Sequence, residues 1–387
     1  MATTPTSVPC RWIGSVADAM LRRKRLRPMV SPKGSSAPVM LCGYYGEHNL
    51  GDDALLAVLL GQLPEGIRPL ITAHDQRAVA GSFAAETVDR RRPLEVLAAL
   101  GGCQALVLGG GSLLQDSTSF ASLLYYGALI LAARGQRKPV LLWAQGLGPL
   151  RRRRSRRLVS FLLARISGAS WRDRESARLA EQLGCRHRLV GSDPVWAFDP
   201  GRWRGPGGAI VLCWRPVARL QAAEWRLYLE TVATLAERAD RPVVWLPFHR
   251  EQDSTLMGDL SEQGLVPAGL LERSSTRRPD TPAEAIELMS SAALVVAMRL
   301  HGLILAALAG APVAALSYDP KVAAAAAAIG CHCQNLGPDN LKSTGVEALL
   351  AAWAACLDQP QDAMRYVELR HQAEVHRQVL NSLMPEA

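Results

Sequence analysis

Pro38-Val39-Met40-Leu41-Cys42-Gly43-Tyr44-Tyr45-Gly46-Glu47-His48-Asn49-Leu50-Gly51-Asp52-Asp53 holds an apolar run, a glycine-punctuated turn and the start of a helical pattern. An apolar run without alternation reads as a strand covered on both faces, the habit of parallel sheets. Behind the turn, residues 52–60 carry helical pattern, and the succession then repeats. A short strand is expected near 70–72, a helix around 93–100 and a buried strand at 105–108. Gly109-Gly110-Gly111 is expected to open a further helix, with 123–134 helical. Residues 140–144 read as a strand ending at Gln145-Gly146-Leu147-Gly148-Pro149. Strand, glycine loop and helix in repetition mean parallel strands joined by crossover helices.

Glycine and proline crowd together at 198–208, and the alternation then restarts. Strands are expected at 210–214, 243–247, 294–297 and 313–316, and helices at 222–238, 282–291 and 301–309. The fold class is therefore α/β, with two Rossmann-like halves facing each other across a cleft. The expected division is a basic extension over 1–36, domains at 37–200 and 208–358, and a C-terminal helix over 359–387. Open α/β sheets bind ligands beyond the carboxyl ends of their strands.

With 387 residues, two domains can each bury a core. A composition of 49% apolar and 20% charged residues excludes a disordered chain. No apolar run reaches the roughly 18 residues of a membrane span, and the N-terminus lacks the pattern of a secretory signal. The expected location is the cytoplasm. Eight scattered cysteines without a second pair at zinc spacing read as reduced and structural, so no metal is expected. Of the net charge of +9, residues 1–36 supply six units. There Trp12, Ile13, Val16, Met20 and Leu21 fall near helical spacing ahead of Arg22-Arg23-Lys24-Arg25. Two readings stand: a basic amphipathic helix resting on the inner face of an anionic membrane, or a disordered tail. A second basic cluster, Arg151 to Arg154 with Arg156 and Arg157, lacks interleaved aromatics, which speaks against nucleic acid.

Four constellations stand at strand ends. In the first, Asn49, Asp52 and Asp53 can cap the following helix or face the cleft. In the second, Gly109-Gly110-Gly111-Ser112 with Gln115 and Asp116 suggests an anion site at a helix N-terminus; close helix–sheet packing is the alternative. The third, Ser170-Trp171-Arg172-Asp173-Arg174-Glu175-Ser176, offers two arginines whose planar forks suit carboxylate or phosphate. The fourth joins Met298-Arg299-Leu300-His301-Gly302 to Leu316-Ser317-Tyr318-Asp319-Pro320-Lys321. Successive strand ends of a parallel sheet lie close in space, so His301 and Lys321 can converge.

Together with Gln145-Gly146-Leu147-Gly148-Pro149 and Ser192-Asp193-Pro194, these motifs resemble those of the polysaccharide pyruvyl transferases of the cell-wall type. The resemblance runs from about Val39 to Lys321; each motif is weak, and their order and spacing are specific. It implies a GT-B-like fold and an enzyme that moves the enolpyruvyl group of phosphoenolpyruvate onto two hydroxyls of a sugar, in a cell-surface polysaccharide precursor. It also implies a donor pocket of Arg172, His301 and Lys321, to which Arg299 is added; Arg174 leaves the choice of Arg172 open. His301, Asp52 and Asp116 are the candidate catalytic residues, and Asn49, Gly110, Gly111 and Gln145 the candidate acceptor contacts. No cofactor is expected, since phosphoenolpyruvate is a co-substrate. The expected partner is a glycan acceptor, which a lipid-linked intermediate would supply. The chain has Asp53 where relatives often carry glutamate, and its basic extension is unusual. The alternatives are a GT-B glycosyltransferase using a nucleotide sugar and a non-catalytic glycan-binding protein.

Overall fold

The computed structural model describes residues 37–117, 119–336, 345–361 and 363–384. Among them the chain builds two sheets in succession. The first holds β1 (Val39–Tyr45), β2 (Pro69–Ala73), β3 (Glu86–Asp89), β4 (Ala105–Leu108), β5 (Val140–Gln145), β6 (Gly168–Trp171) and β7 (Leu189–Val190), in the order 3-2-1-4-5-6-7. The second holds β8 (Ile210–Cys213), β9 (Val243–Trp245), β10 (Ser274–Thr276), β11 (Leu294–Ala297), β12 (Val313–Ser317) and β13 (His332–Asn335), in the order 10-9-8-11-12-13. Every pairing is parallel. Counted from its own first strand, the second sheet repeats the order of the first six strands. Each sheet reverses its winding between two central strands, β1 and β4 or β8 and β11, and a crevice opens there at the carboxyl ends.

The central strands explain why the apolar runs were readable. In β1, Met40 and Cys42 enter one buried cluster while Val39, Leu41 and Tyr45 enter another on the opposite face. In β8, Ile210 and Leu212 part from Val211 and Cys213 in the same way. Period-two alternation with both faces covered leaves no polar position in the strand.

The lobes are joined through the helix Leu50–Gln62. Its Leu50, Ala54 and Leu55 belong to the core of the second lobe, and Leu50 N–H donates to Phe248 O at 3.0 Å. Arg250 N–H returns a bond to His48 O at 2.9 Å. The loops after β1 and β9 thus meet backbone to backbone across the seam.

Several expectations are corrected. Gly109-Gly110-Gly111 opens no helix; the next one is Phe120–Gly135. A Cβ on Gly109 would meet Tyr45 Oη at 2.0 Å, and one on Gly110 would meet Leu55 Cδ2 at 2.9 Å. Close packing against the helix Leu50–Gln62 therefore accounts for these two glycines. Residues 168–171, for which no strand was expected, form strand β6. The C-terminal segment is not one helix: it comprises the helices Val367–Glu374 and Arg377–Leu380 between short 3-10 turns. It also leaves the second lobe, since Val379, Leu380 and Leu383 pack into the core of the first. The chain thus passes between lobes twice, and the two passages touch. Trp196 stacks on Tyr366 at 5.0 Å, and Arg370 Nη1 donates to Phe198 O at 3.3 Å. The basic extension 1–36 lies outside the described residues. No helix of the described residues is long and apolar enough to cross a membrane.

Candidate active site at the seam of the two lobes

Three cationic side chains arrive from three strand ends. Arg172 follows β6 directly and is only 6% exposed. His301 stands in the first turn of the helix Leu300–Leu308 behind β11, and Lys321 in the first turn of the helix Pro320–Ile329 behind β12. Asp319 caps that helix by accepting from Lys321 N–H at 2.9 Å, which sets where the lysine leaves the backbone.

Two small acceptors hold the cations together. Ser112 Oγ accepts from Lys321 Nζ at 2.9 Å and from Arg172 Nη2 at 3.3 Å. Asp193 Oδ2 lies 3.5 Å from Arg172 Nη1 and 3.4 Å from His301 Nε2. The two lobes thus present two positive charges to one hydroxyl. Burial, and then the charge of Arg172, push the Lys321 ammonium below its ordinary value. Like charges brought together out of water repel each other, and an anion between them would relieve that repulsion.

His301 also lies against the start of the helix Leu50–Gln62. A Cβ on Gly51 would come within 2.2 Å of its Nδ1, so only glycine admits the imidazole there. Gly146 makes similar room, because a Cβ would meet Ser112 Oγ at 2.5 Å and Arg172 Nη2 at 2.6 Å.

Asn49 and Asp52 stand beside this cluster. Asn49 Oδ1 accepts from Gly51 N–H at 3.1 Å, while its amide donates to Asp52 Oδ2 at 2.5 Å. Burial raises the Asp52 carboxyl to about 6, against the opposing charge of His301. Asp53 is raised to about 7 by burial and by its neighbour Asp52. Gly111 has φ +84 and lies under Asp52, whose Oδ1 would be 4.0 Å from a Cβ there. The 30 Å³ cavity between the lobes, lined by Asp53, Arg250 and Asp280 among others, takes in none of Arg172, His301 and Lys321.

The remaining candidates are engaged elsewhere. Arg299 forks onto Asp253, with Nε to Oδ2 at 3.1 Å and a second, short bond from Nη2 to Oδ1. Its planar donors are already matched to a buried carboxylate, so it is a structural cation rather than part of the cluster. Asp116 accepts from the Arg151 and Arg152 amides at 2.8 and 2.9 Å, which hold its carboxyl below the ordinary range against the upward push of burial. It secures the turn after Pro149. Gln145 is buried and donates to Leu108 O and Gly109 O, tying β5 to the glycine loop. Gly110 is a packing glycine, as above. Arg174 is exposed at its helix start, which leaves Arg172 as the arginine of the cluster. Ser112 and Asp193 were quoted in motifs but given no role. A short polar side chain in a loop has no periodic signature; their signal was adjacency to the glycine run and to Pro194.

Two parallel sheets that share the order of six strands, with basic side chains at their seam, define a two-lobe, GT-B-like α/β protein. The polysaccharide pyruvyl transferase family model matches residues 49–320, more than half of the chain, and the chain belongs to that family. A comparison with curated protein sequences finds no match. Among solved structures, the UDP-GlcNAc 2-epimerase of Methanocaldococcus jannaschii is similar at a TM-score of 0.57 and 10% identity, over 89% of this chain and 99% of that one. A putative UDP-N-acetylglucosamine 2-epimerase from Listeria monocytogenes gives 0.55 and 12%, over 90% and 95%. The Neisseria meningitidis UDP-GlcNAc 2-epimerase bound to UDP-GlcNAc gives 0.53 and 13%, over 89% and 99%. At these identities the likeness is one of fold.

Proposed function

We propose that this transferase moves the enolpyruvyl group of phosphoenolpyruvate onto two hydroxyls of one sugar, forming a ketal and releasing phosphate. The observation that carries the reading is the meeting of Arg172, His301 and Lys321 around Ser112 and Asp193. Phosphoenolpyruvate brings a carboxylate and a nearly dianionic phosphate, roughly three negative charges. Arg172 suits a planar carboxylate or phosphate edge, and Lys321 a phosphate oxygen. His301 can bind phosphate and deliver a proton.

The chemistry follows from protonation of the methylene carbon of the enol. The neighbouring carbon becomes electrophilic and a sugar hydroxyl adds to it, giving up its proton to a base. A second hydroxyl of the same sugar then attacks that carbon, the bond from that carbon to the phosphate oxygen breaks, and inorganic phosphate leaves with the proton that the second hydroxyl gives up. Asp52 suits the role of base, being oriented by Asn49 and raised to about 6. It accepts a proton only as the carboxylate. Activity should therefore fall as pH drops through about 6, and Asp52→Asn should remove that limb along with most of the rate. A pH–rate profile checks this; an unchanged acid limb in the variant would assign the base elsewhere.

The direct test of the donor is calorimetric. Phosphoenolpyruvate should give a binding isotherm and UDP-sugars should not. Binding of UDP-sugars alone would favour the glycosyltransferase reading. A glycan acceptor is the partner expected of the family, and a lipid-linked one together with a membrane contact through 1–36 remains part of this proposal.

A further inference from the structure

Asp193 stands before the 3-10 turn Pro194–Ala197, where Oδ1 accepts from Val195 N–H at 3.1 Å. Its other oxygen has a different position. Oδ2 is buried and faces Arg172 Nη1 from one lobe at 3.5 Å and His301 Nε2 from the other at 3.4 Å. One buried carboxylate oxygen thus stands between basic groups of the two lobes. Burial disfavours the Asp193 charge, but His301 and then Arg172 outweigh it and hold the carboxyl at about 2. The group is an anion at any working pH.

A permanent anion here has two opposite consequences. It fixes the direction of both donors, because a guanidinium and an imidazole N–H orient toward a carboxylate. It also repels any second anion that approaches the same cations. We propose that Asp193 is a positioning residue of the transfer reaction, a resident carboxylate that aligns Arg172 and the Nε2 proton of His301 and with which the donor anion competes. This rests on the function proposed above, and it adds a residue to which no role was assigned.

The two consequences separate in kinetics. Asp193→Asn keeps the shape of the side chain and an oxygen for Val195 N–H, but removes the charge. Phosphoenolpyruvate should then bind about fivefold tighter, since a like charge is gone. Phosphate release at saturating donor should fall about 100-fold, since the proton donor is no longer aligned. A merely structural role would slow turnover while weakening donor binding, and that outcome overturns the inference. Asp193→Ser, which also caps a turn, should show the same split and serves if the asparagine variant fails to fold. Asp193→Glu keeps the charge and should bind the donor no tighter than the wild type.

The measurements are calorimetry with phosphoenolpyruvate and phosphate release with a panel of nitrophenyl hexosides as acceptors. Wild-type turnover with donor affinity unchanged or weakened in both the Asn and Ser variants overturns this inference alone. A wild type that neither binds phosphoenolpyruvate nor releases phosphate overturns the function itself.

Discussion

Lys321→Ala and His301→Ala should each lower phosphate release from phosphoenolpyruvate by about 100-fold or more, with the fold intact. Removing one preorganised charge from a water-poor site costs that order in rate. For Lys321 the loss should fall on donor affinity and turnover together, because the ammonium meets phosphate in the bound state and more strongly as charge gathers on the leaving phosphate. Stability should not suffer. Among the described residues the ammonium's side-chain hydrogen bond is to Ser112 Oγ, and Arg172 stands on the same hydroxyl. The sign of the linkage agrees: a lysine whose folded value lies below its unfolded one destabilises the fold while charged, and stability rises as pH climbs from the depressed value toward the ordinary one. The alanine variant should lack that rise. Thermal melts from neutral to alkaline pH alongside phosphate-release assays check both halves. Near wild-type turnover in both variants would remove the assignment.

Asp253→Ala should be the most destabilising single change near the site, by about 3–5 kcal/mol, the usual cost of stripping one partner from a buried ion pair. Asp253 is almost wholly buried and accepts from Phe248 N–H at 3.1 Å, His249 N–H at 2.8 Å and the Arg299 fork. Its loss leaves two amides without their acceptor and strips the fork from Arg299, which keeps Gln252 Oε1 at 3.1 Å, at the loop that meets the helix Leu50–Gln62. Arg299→Met should cost less, because the carboxylate keeps its two amides. Urea unfolding of both variants tests the order. Equal stability of wild type and Asp253→Ala would mean that the pair does not hold the loop.

The strands β1, β4, β8 and β11 were legible because burial on both faces removes polar residues from them, and the glycine-rich crossing at 198–208 marked the division of the lobes. The strands β3 (Glu86–Asp89), β10 (Ser274–Thr276) and β13 (His332–Asn335) were missed; they stand two or more places from the sheet centre, where half-exposed positions tolerate Glu, Asp, Ser and Gln. Arg172, His301 and Lys321 were legible as cations at strand ends, with the family resemblance choosing among neighbours. Arg299 was misplaced for a physical reason: its partner Asp253 is 46 residues away on another strand's loop, and no local pattern announces such a pair. The three glycines were read as an anion site with close packing as the alternative, and packing explains two of them by what a methyl group would strike.

The two passages of the chain between lobes, pressed together at Trp196 and Tyr366, bear on how the halves are held to each other. A single tether would let one half swivel freely against the other. A doubled one, beside a helix of the first half whose Leu50, Ala54 and Leu55 sit in the core of the second, resists that swivel. Residues 363–384 are thus part of the fastening, and trimming them should loosen it.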